Sequence, residues 1–401
     1  MTSLRVLSRR RKTALLAAMA FCALLVVGIA QPIGSASTRV DVRTLAVRQA
    51  VGPVPGLFVA AGRVEGERNA ALVGTASSPL SGWIAPVAVP TPDGDRLVYS
   101  TWRELRHEDP ALSWSKQGIH PGDALGIPTL WIHDFGSGRD DVIDENSYSA
   151  AVRSDGTIAY VRGTDLYRAS ANYTGDVVVR SSVSDRPVVW STRPAHYVAA
   201  AWAGKTLLVY RIAEGEQLDV LALDGPGRQR LLMAHGSLVA VSPDGTQAFL
   251  GSDADTPGSV SVVNVADGTI SGTLELGSSN LGILWAAYAG SWSGDLVAAP
   301  TNAGIALFDV ADGAISLKDL LKTGPGTFAN GIIEPQFVGD TQHVIARGDT
   351  PPSASSATGE DGTAAVECDL ATATCVARAT APGRAWLHPA YNPSRPLKGA
   401  S

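Results

Sequence analysis

The chain has 401 residues, of which 17% are charged, with 42 Gly and 24 Pro; this suits many short strands joined by tight turns and argues against long solvated helices. An apolar content of 45% with nine Trp supplies a large core and excludes a disordered chain. Five of the 32 basic residues (Arg5, Arg9, Arg10, Arg11 and Lys12) lie in the first 12 residues, which hold no acid, so the remainder holds 27 basic against 38 acidic side chains, which argues against nucleic-acid binding.

Residues 13–30 carry no charge, follow the basic cluster and are followed by Gly34-Ser35-Ala36, a small-x-small cleavage candidate. The positive flank predicts a cytoplasmic N-terminus and export of the rest, with 1–36 acting as a membrane anchor or a cleaved signal and 37–55 as a linker. Ser8-Arg9-Arg10-Arg11 faintly resembles a twin-arginine signal, although Lys12 stands where a large apolar residue is expected. Cys22 follows Phe21 where lipid attachment needs a small residue, and reads as an apolar membrane residue.

Two turn signals then alternate along the chain. One is Pro/Ser-Asp-Gly, at Pro92-Asp93-Gly94, Ser154-Asp155-Gly156 and Ser242-Pro243-Asp244-Gly245, with degraded copies at Ser293-Gly294-Asp295 and Val338-Gly339-Asp340. The other is Asx, apolar, small, polar and usually Gly, at Asp134–Gly138, Asn264–Gly268, Asp309–Gly313 and Asp369–Ala373. Both are flanked by apolar runs of strand length and repeat at roughly 45 residues, the period of β-propeller blades. Blades are expected at 83–143, 148–180, 187–232, 237–276, 283–321 and 332–381. Strand-like pieces at 56–61 and 70–74 pair with 384–391 to form a seventh, shared blade. The expected fold is therefore an all-β propeller over 56–392 with seven four-stranded blades, one N-terminal apolar helix before it and a flexible tail over 393–401. Sharing the last blade between the chain ends closes the ring and leaves no long open sheet edge.

Ser242-Pro243-Asp244-Gly245-Thr246, then Ala248-Phe249-Leu250-Gly251 and the run Val260–Thr269, resemble the WD40-like repeat of TolB-type propellers. The resemblance implies a binding scaffold, often in the cell envelope, and carries over no catalytic residue. The Gly-His and Trp-Asp dipeptides of true WD40 repeats and the double glycine of kelch are missing.

Cys368 and Cys375 flank a turn centred on residues 370–373, so they face each other across a hairpin and predict a disulfide in an exported chain. The signal turns occupy first and third connections of the blades; the insertions 103–128, 252–258 and 348–362 therefore belong to the opposite face. The first insertion carries the candidates for a binding face: Arg103, Arg106, His107, Trp114, Lys116 and His120. The channel mouth offers Arg153, Glu334, Gln336 and His388 as a rival small-ligand site. Gly290-Ser291-Trp292-Ser293-Gly294 has Trp where a nucleophile elbow has Ser, the seven His lack metal spacing, and Asp253 and Asp255 read as a turn. No catalytic residue, metal or cofactor is expected. The expected role is a non-enzymatic, monomeric module that binds an envelope protein or glycan and meets the membrane through its N-terminal segment. The alternative is a channel-site enzyme or small-ligand binder of lactonase-like or lyase-like type.

Overall fold

A computed structural model describes residues 41–50, 54–61, 70–74, 76–79, 84–91, 93–104, 125–164, 167–168, 174–212, 218–252, 258–276, 290–301, 304–324, 327–328, 332–350, 362–382 and 384–388. The apolar segment 13–30, Cys22, Asp253, Asp255 and the tail 393–401 lie outside them. Among the described residues every regular element is a β-strand, and no helix is long and apolar enough to cross a membrane.

In chain order, β1 (Asp41–Ala50) precedes β2 (Val54–Ala61), β3 (Ala70–Gly74) and β4 (Ala76–Pro79). Next come β5 (Ile84–Pro90), β6 (Arg96–Glu104), β7 (Leu125–Asp134) and β8 (Arg139–Glu145), an antiparallel meander. A second sheet follows from β9 (Ser147–Val152), β10 (Ile158–Gly163), β12 (Gly175–Arg180) and β13 (Val188–Val189), while β11 (Tyr167–Arg168) leaves it to pair with β7. The third is β14 (Tyr197–Ala203), β15 (Thr206–Ile212), β16 (Leu218–Gly225) and β17 (Arg228–Met233). The fourth is β18 (Gly236–Val241), β19 (Gln247–Ser252), β20 (Ser259–Asn264) and β21 (Ile270–Glu275). Then β22 (Ser291–Ser293), β23 (Leu296–Thr301), β24 (Gly304–Ala311) and β25 (Ala314–Thr323) are joined through β1 to β26 (Ile332–Phe337), β27 (His343–Thr350), β28 (Gly362–Asp369) and β29 (Thr374–Pro382). The last strand, β30 (Arg384–His388), returns to the start of the chain and gives a sheet of order β30-β2-β3-β4. This is the shared sheet expected from the two chain ends.

Three departures from the sequence reading are local. The second sheet does not end at Arg180: its outer strand is the two-residue β13, which the expected blade boundaries place in the next repeat. Two residues carry no periodicity, so the pattern cannot show them. Residues 41–50, within the stretch read as linker, form β1, parallel to β25 through Asp41–Leu45 and to β29 through Ala46–Ala50. Residues Tyr167 and Arg168, expected inside a compact blade, pair across to Gly126 and Leu125.

Strand alternation places the two faces of one sheet in two different cores. In the fourth sheet, Leu238, Ala248, Leu250 and Val263 pack toward the third, whereas Val239, Phe249, Val260 and Val262 pack toward the fifth. The fourth sheet is thus buried on both faces, which explains the near-continuous apolar runs of β18 and β19. Polar groups join neighbouring inner strands: the Tyr148 hydroxyl donates to Tyr197 O at 2.6 Å, and the Trp202 indole to Ala151 O at 3.1 Å. The Tyr210 hydroxyl both donates to Leu238 O (2.8 Å) and accepts from Leu238 N (2.7 Å).

The signal turns are held by their own side chains. Ser242 Oγ donates to Asp244 Oδ1 at 2.6 Å and Thr246 N to the same oxygen at 3.0 Å, closing the turn before β19. Gly245 has φ +71°, and a Cβ there would meet Gly204 N at 2.4 Å, so both conformation and close approach demand glycine.

Candidate functional site

An antiparallel meander sends successive connections to opposite ends. The β5–β6, β7–β8, β9–β10, β18–β19, β20–β21, β26–β27 and β28–β29 turns therefore share one end, and the β6–β7 and β10–β12 connections lie at the other.

At the turn end, carboxylates are engaged within their own loops. Hydrogen bonds from Ser242 and Thr246 hold Asp244 below the usual carboxylate range, and the Ser137 amide and hydroxyl do the same for Asp134. Asp155 is lowered further by the Arg153 guanidinium, 2.6 Å away. A shallow pocket of about 270 Å3 opens here between the first two meanders, lined by Arg96, Ile132, Asp134, Arg139, Asp141 and Val183. Arg96 stands 3.5 Å from Asp134, and Arg139 stands 3.9 Å from Asp141. The sequence reading gave this pocket no role, because Val183 comes from a different repeat.

At the excursion end, β6 and β7 stay paired as far as Glu104 and Gly126, and β11 extends the edge of β7 from there. The two ends of the expected 103–128 insertion are therefore strand, and residues 105–124 connect a three-strand base. Arg103 lies in that base, exposed and in register with Ile127. Arg106, His107, Trp114, Lys116 and His120 lie outside the described residues.

The channel candidates fall on three elements. Arg153 follows β9 in a signal turn, where its guanidinium bonds Asp155 and Thr157 and lies 4.9 Å from the Trp202 ring centroid. It belongs to the turn. Glu334 and Gln336 sit in a bulge of β26, Glu334 with φ +56° and its carboxylate 3.8 Å from Arg347. Gln336 Nε2 donates to Gly290 O at 3.2 Å, tying β26 to the preceding sheet. His388 is the last residue of β30, in register with Leu57.

Other groups singled out in the sequence also have structural partners. Ser291 Oγ accepts from Phe337 N at 2.9 Å, and the Trp292 indole donates to Gly294 O at 2.9 Å, so the elbow look-alike is an inner strand and its turn. His133 is buried with Nδ1 3.0 Å from Asp140, which also accepts from the Tyr99 hydroxyl at 2.7 Å. Burial pushes the His196 imidazole pKa down. Among the described residues no group of three or more His, Cys, Asp or Glu gathers to hold a metal. Cys368 and Cys375 are bonded, in register across the hairpin with Cα atoms 4.1 Å apart, as expected.

A polar seam that the sequence did not show joins the first two meanders. Asp144 on β8 accepts from the Tyr160 hydroxyl at 2.6 Å and from Arg162 Nε at 2.9 Å, while Arg180 Nε donates to the Tyr160 oxygen at 2.8 Å. Burial and the Asp144 carboxylate push the Tyr160 pKa up to about 12.

No protein-family model and no curated protein matches the chain. Solved structures similar to it are TolB-like and WD40-type β-propellers, a likeness of fold. TolB from Acinetobacter baumannii is 14% identical with a TM-score of 0.37, covering 67% of this chain and 65% of that one. The Pyrococcus horikoshii acylaminoacyl peptidase is 11% identical with a TM-score of 0.46, covering 82% and 52%. This chain therefore spans less than two thirds of either protein's length. The oligogalacturonate lyase of Vibrio parahaemolyticus is 11% identical with a TM-score of 0.48, covering 76% and 86%.

Proposed function

We propose that this chain is an extracytoplasmic, seven-bladed β-propeller that acts as a non-enzymatic binding or scaffold module for an envelope protein or glycan. The observation that carries the reading is the difference between the two ends of the sheets. One end consists of short, self-capped turns whose carboxylates are already hydrogen-bonded, and the other carries the 105–124 insertion on the β6–β7–β11 base. Long connections raised on a rigid scaffold are where propellers and other repeat folds place recognition. Trp114 and the basic Arg103, Arg106 and Lys116 supply side-chain types that anchor protein contacts and stack on sugars.

Closure with seven blades is supported by contacts from β5 to β9, β9 to β14, β14 to β18, β18 to β22 and β22 to β26, with β30 touching both β27 and β5. Export is supported by the basic-then-apolar N-terminus and by the Cys368–Cys375 bond, since such bonds persist outside the reducing cytoplasm. With residues 13–30 as a retained anchor, the protein fractionates with membranes and resists high-salt extraction; a mature form starting near Ser37 indicates cleavage instead.

The test is crosslinking in the native cell, comparing the full chain with a variant in which 105–124 is replaced by a short Gly-Ser turn. Shortening a surface loop changes closure entropy by only about 0.6 kcal/mol per doubling of length, so the sheets remain folded. Partner capture falls sharply in the variant if the reading holds. Unchanged capture by the folded variant overturns it.

A further inference from the structure

The β28–β29 hairpin and β1 meet in an arrangement that links a disulfide to the docking of a strand. β1 has a single fully buried side chain, Leu45, and its remaining positions are exposed or half-buried. Apolar burial therefore holds it weakly. Beyond its backbone pairing with β25 and β29, it is anchored by the turn between the two cysteines: Arg43 donates to Leu370 O at 2.7 Å and to Ala371 O at 3.0 Å, and Ala46 N donates to Ala373 O at 2.9 Å. A further bond runs from Arg43 to Asp319 at 3.1 Å. Three partners thus belong to the turn that the disulfide closes over a separation of 7 residues.

The turn has a conformation that needs holding. Ala373 has φ +54°, a left-handed region that is unfavourable for an L-residue with a Cβ. That conformation aims its carbonyl at Ala46 N. Cutting the adjacent bond removes the constraint against relaxation to a negative φ, which would turn the acceptor away. The two sulfurs, now unbonded, also need more room in a cluster where Cys368 and Cys375 are 0% and 1% exposed. Leu45 belongs to that cluster and Val47, in register with Cys375, packs on it, so β1 is the neighbour best able to yield.

We propose that the Cys368–Cys375 hairpin is a redox-sensitive dock for β1, in which disulfide and strand protect each other. A dithiol reductant would act through thiolate attack on one sulfur, release of the other cysteine as a thiolate, and closure of the reductant into its own disulfide. The protein gains two electrons and two protons. Both sulfurs are buried and β29 lies against β1, so attack requires β1 to lift; by linkage, reduction weakens β1 docking by the same factor that docking disfavours reduction.

The experiment is hydrogen exchange on the full chain, before and after dithiothreitol, with Cys368→Ala/Cys375→Ala in parallel. Amides of β1 exchange at least about tenfold faster after reduction and in the double variant, while β18–β20 keep their protection. In the reverse arm, Arg43→Ala with the bond intact accelerates thiol release under dithiothreitol by about tenfold, read by intact mass. Unchanged β1 exchange on reduction overturns the coupling, as does wild-type thiol release in Arg43→Ala. Loss of protection in β18–β20 along with β1 also overturns it, because the bond is then a global staple.

Discussion

Two sheet junctions in this molecule solve the same packing problem with different chemistry. Between the fourth sheet and the fifth, Phe249 lies against Phe308 with ring centroids 5.2 Å apart and edge-on to Trp292 at 6.3 Å, among Val239, Val260 and Val297. Between the first two meanders, Val98, Leu130 and Ile158 supply an apolar floor, but its edge is the Asp144–Tyr160–Arg162–Arg180 seam. The first junction depends on volume and tolerates changes of salt and pH. The second depends on matched partners, and its charges lose most when one of them is left alone.

The largest effect that separates them is Phe249→Ala, expected to cost about 3–5 kcal/mol by cavity formation, measured by denaturant unfolding. Asp144→Ala comes next at about 2–3 kcal/mol, because Tyr160, Arg162 and Arg180 then share a partly buried site without their acceptor. A loss below about 0.5 kcal/mol would show that solvent already screens the seam. Glycine substitutions make a finer division within the turns. Gly156→Ala meets open space at φ +86° and should cost about 1 kcal/mol, whereas Gly245→Ala should cost more because its Cβ runs into the Gly204 backbone. Equal costs would mean that the turn around Gly204 gives way.

The smallest effect is confined to alkaline pH. Tyr160 has a folded pKa raised to about 12, so its contribution is complete below the unfolded value near 10 and is lost as pH rises toward 12. Tyr160→Phe should flatten the stability profile in that window, and Phe249→Ala should leave its shape unchanged. A wild-type profile that is already flat from pH 10 to 12 would remove the seam's titration from the account.

The same contrast explains what could be read in advance. The fourth sheet was fully visible because Ser242–Gly245 and Asn264–Gly268 punctuate runs with the right period, and all of that information is local. The shared sheet was visible because two orphan strand patterns remained at the chain ends. The disulfide followed from one hairpin. By contrast, β13 is too short to show a pattern, and the pairing of Asp144 with Arg162 and Arg180 depends on which repeats become neighbours. The run Val42, Thr44, Leu45, Val47 does carry strand propensity, yet without a partner in sequence it reads equally well as linker. The bond from Arg153, a channel-mouth candidate, to Asp155 two residues on lies within a single turn signal. The candidate site was the least readable part, since a propeller repeat encodes the scaffold and leaves its insertions unconstrained.

The parallel pairing of β1 also bears on the order of folding. Arg43 meets partners 276 and 328 residues further along the chain, and β2 takes β30 as its inner neighbour. During synthesis, every sheet from β5 to β25 can close on local contacts, while the first strands wait for the final quarter of the polypeptide. The slow step is then a search by the N-terminal strands for a distant edge, with the closure entropy and unpaired-edge exposure that such long-range pairing entails. A chain truncated before β28 would fold most of its sheets and still leave Ala46–Ala50 and the β30 edge of β2 unpaired.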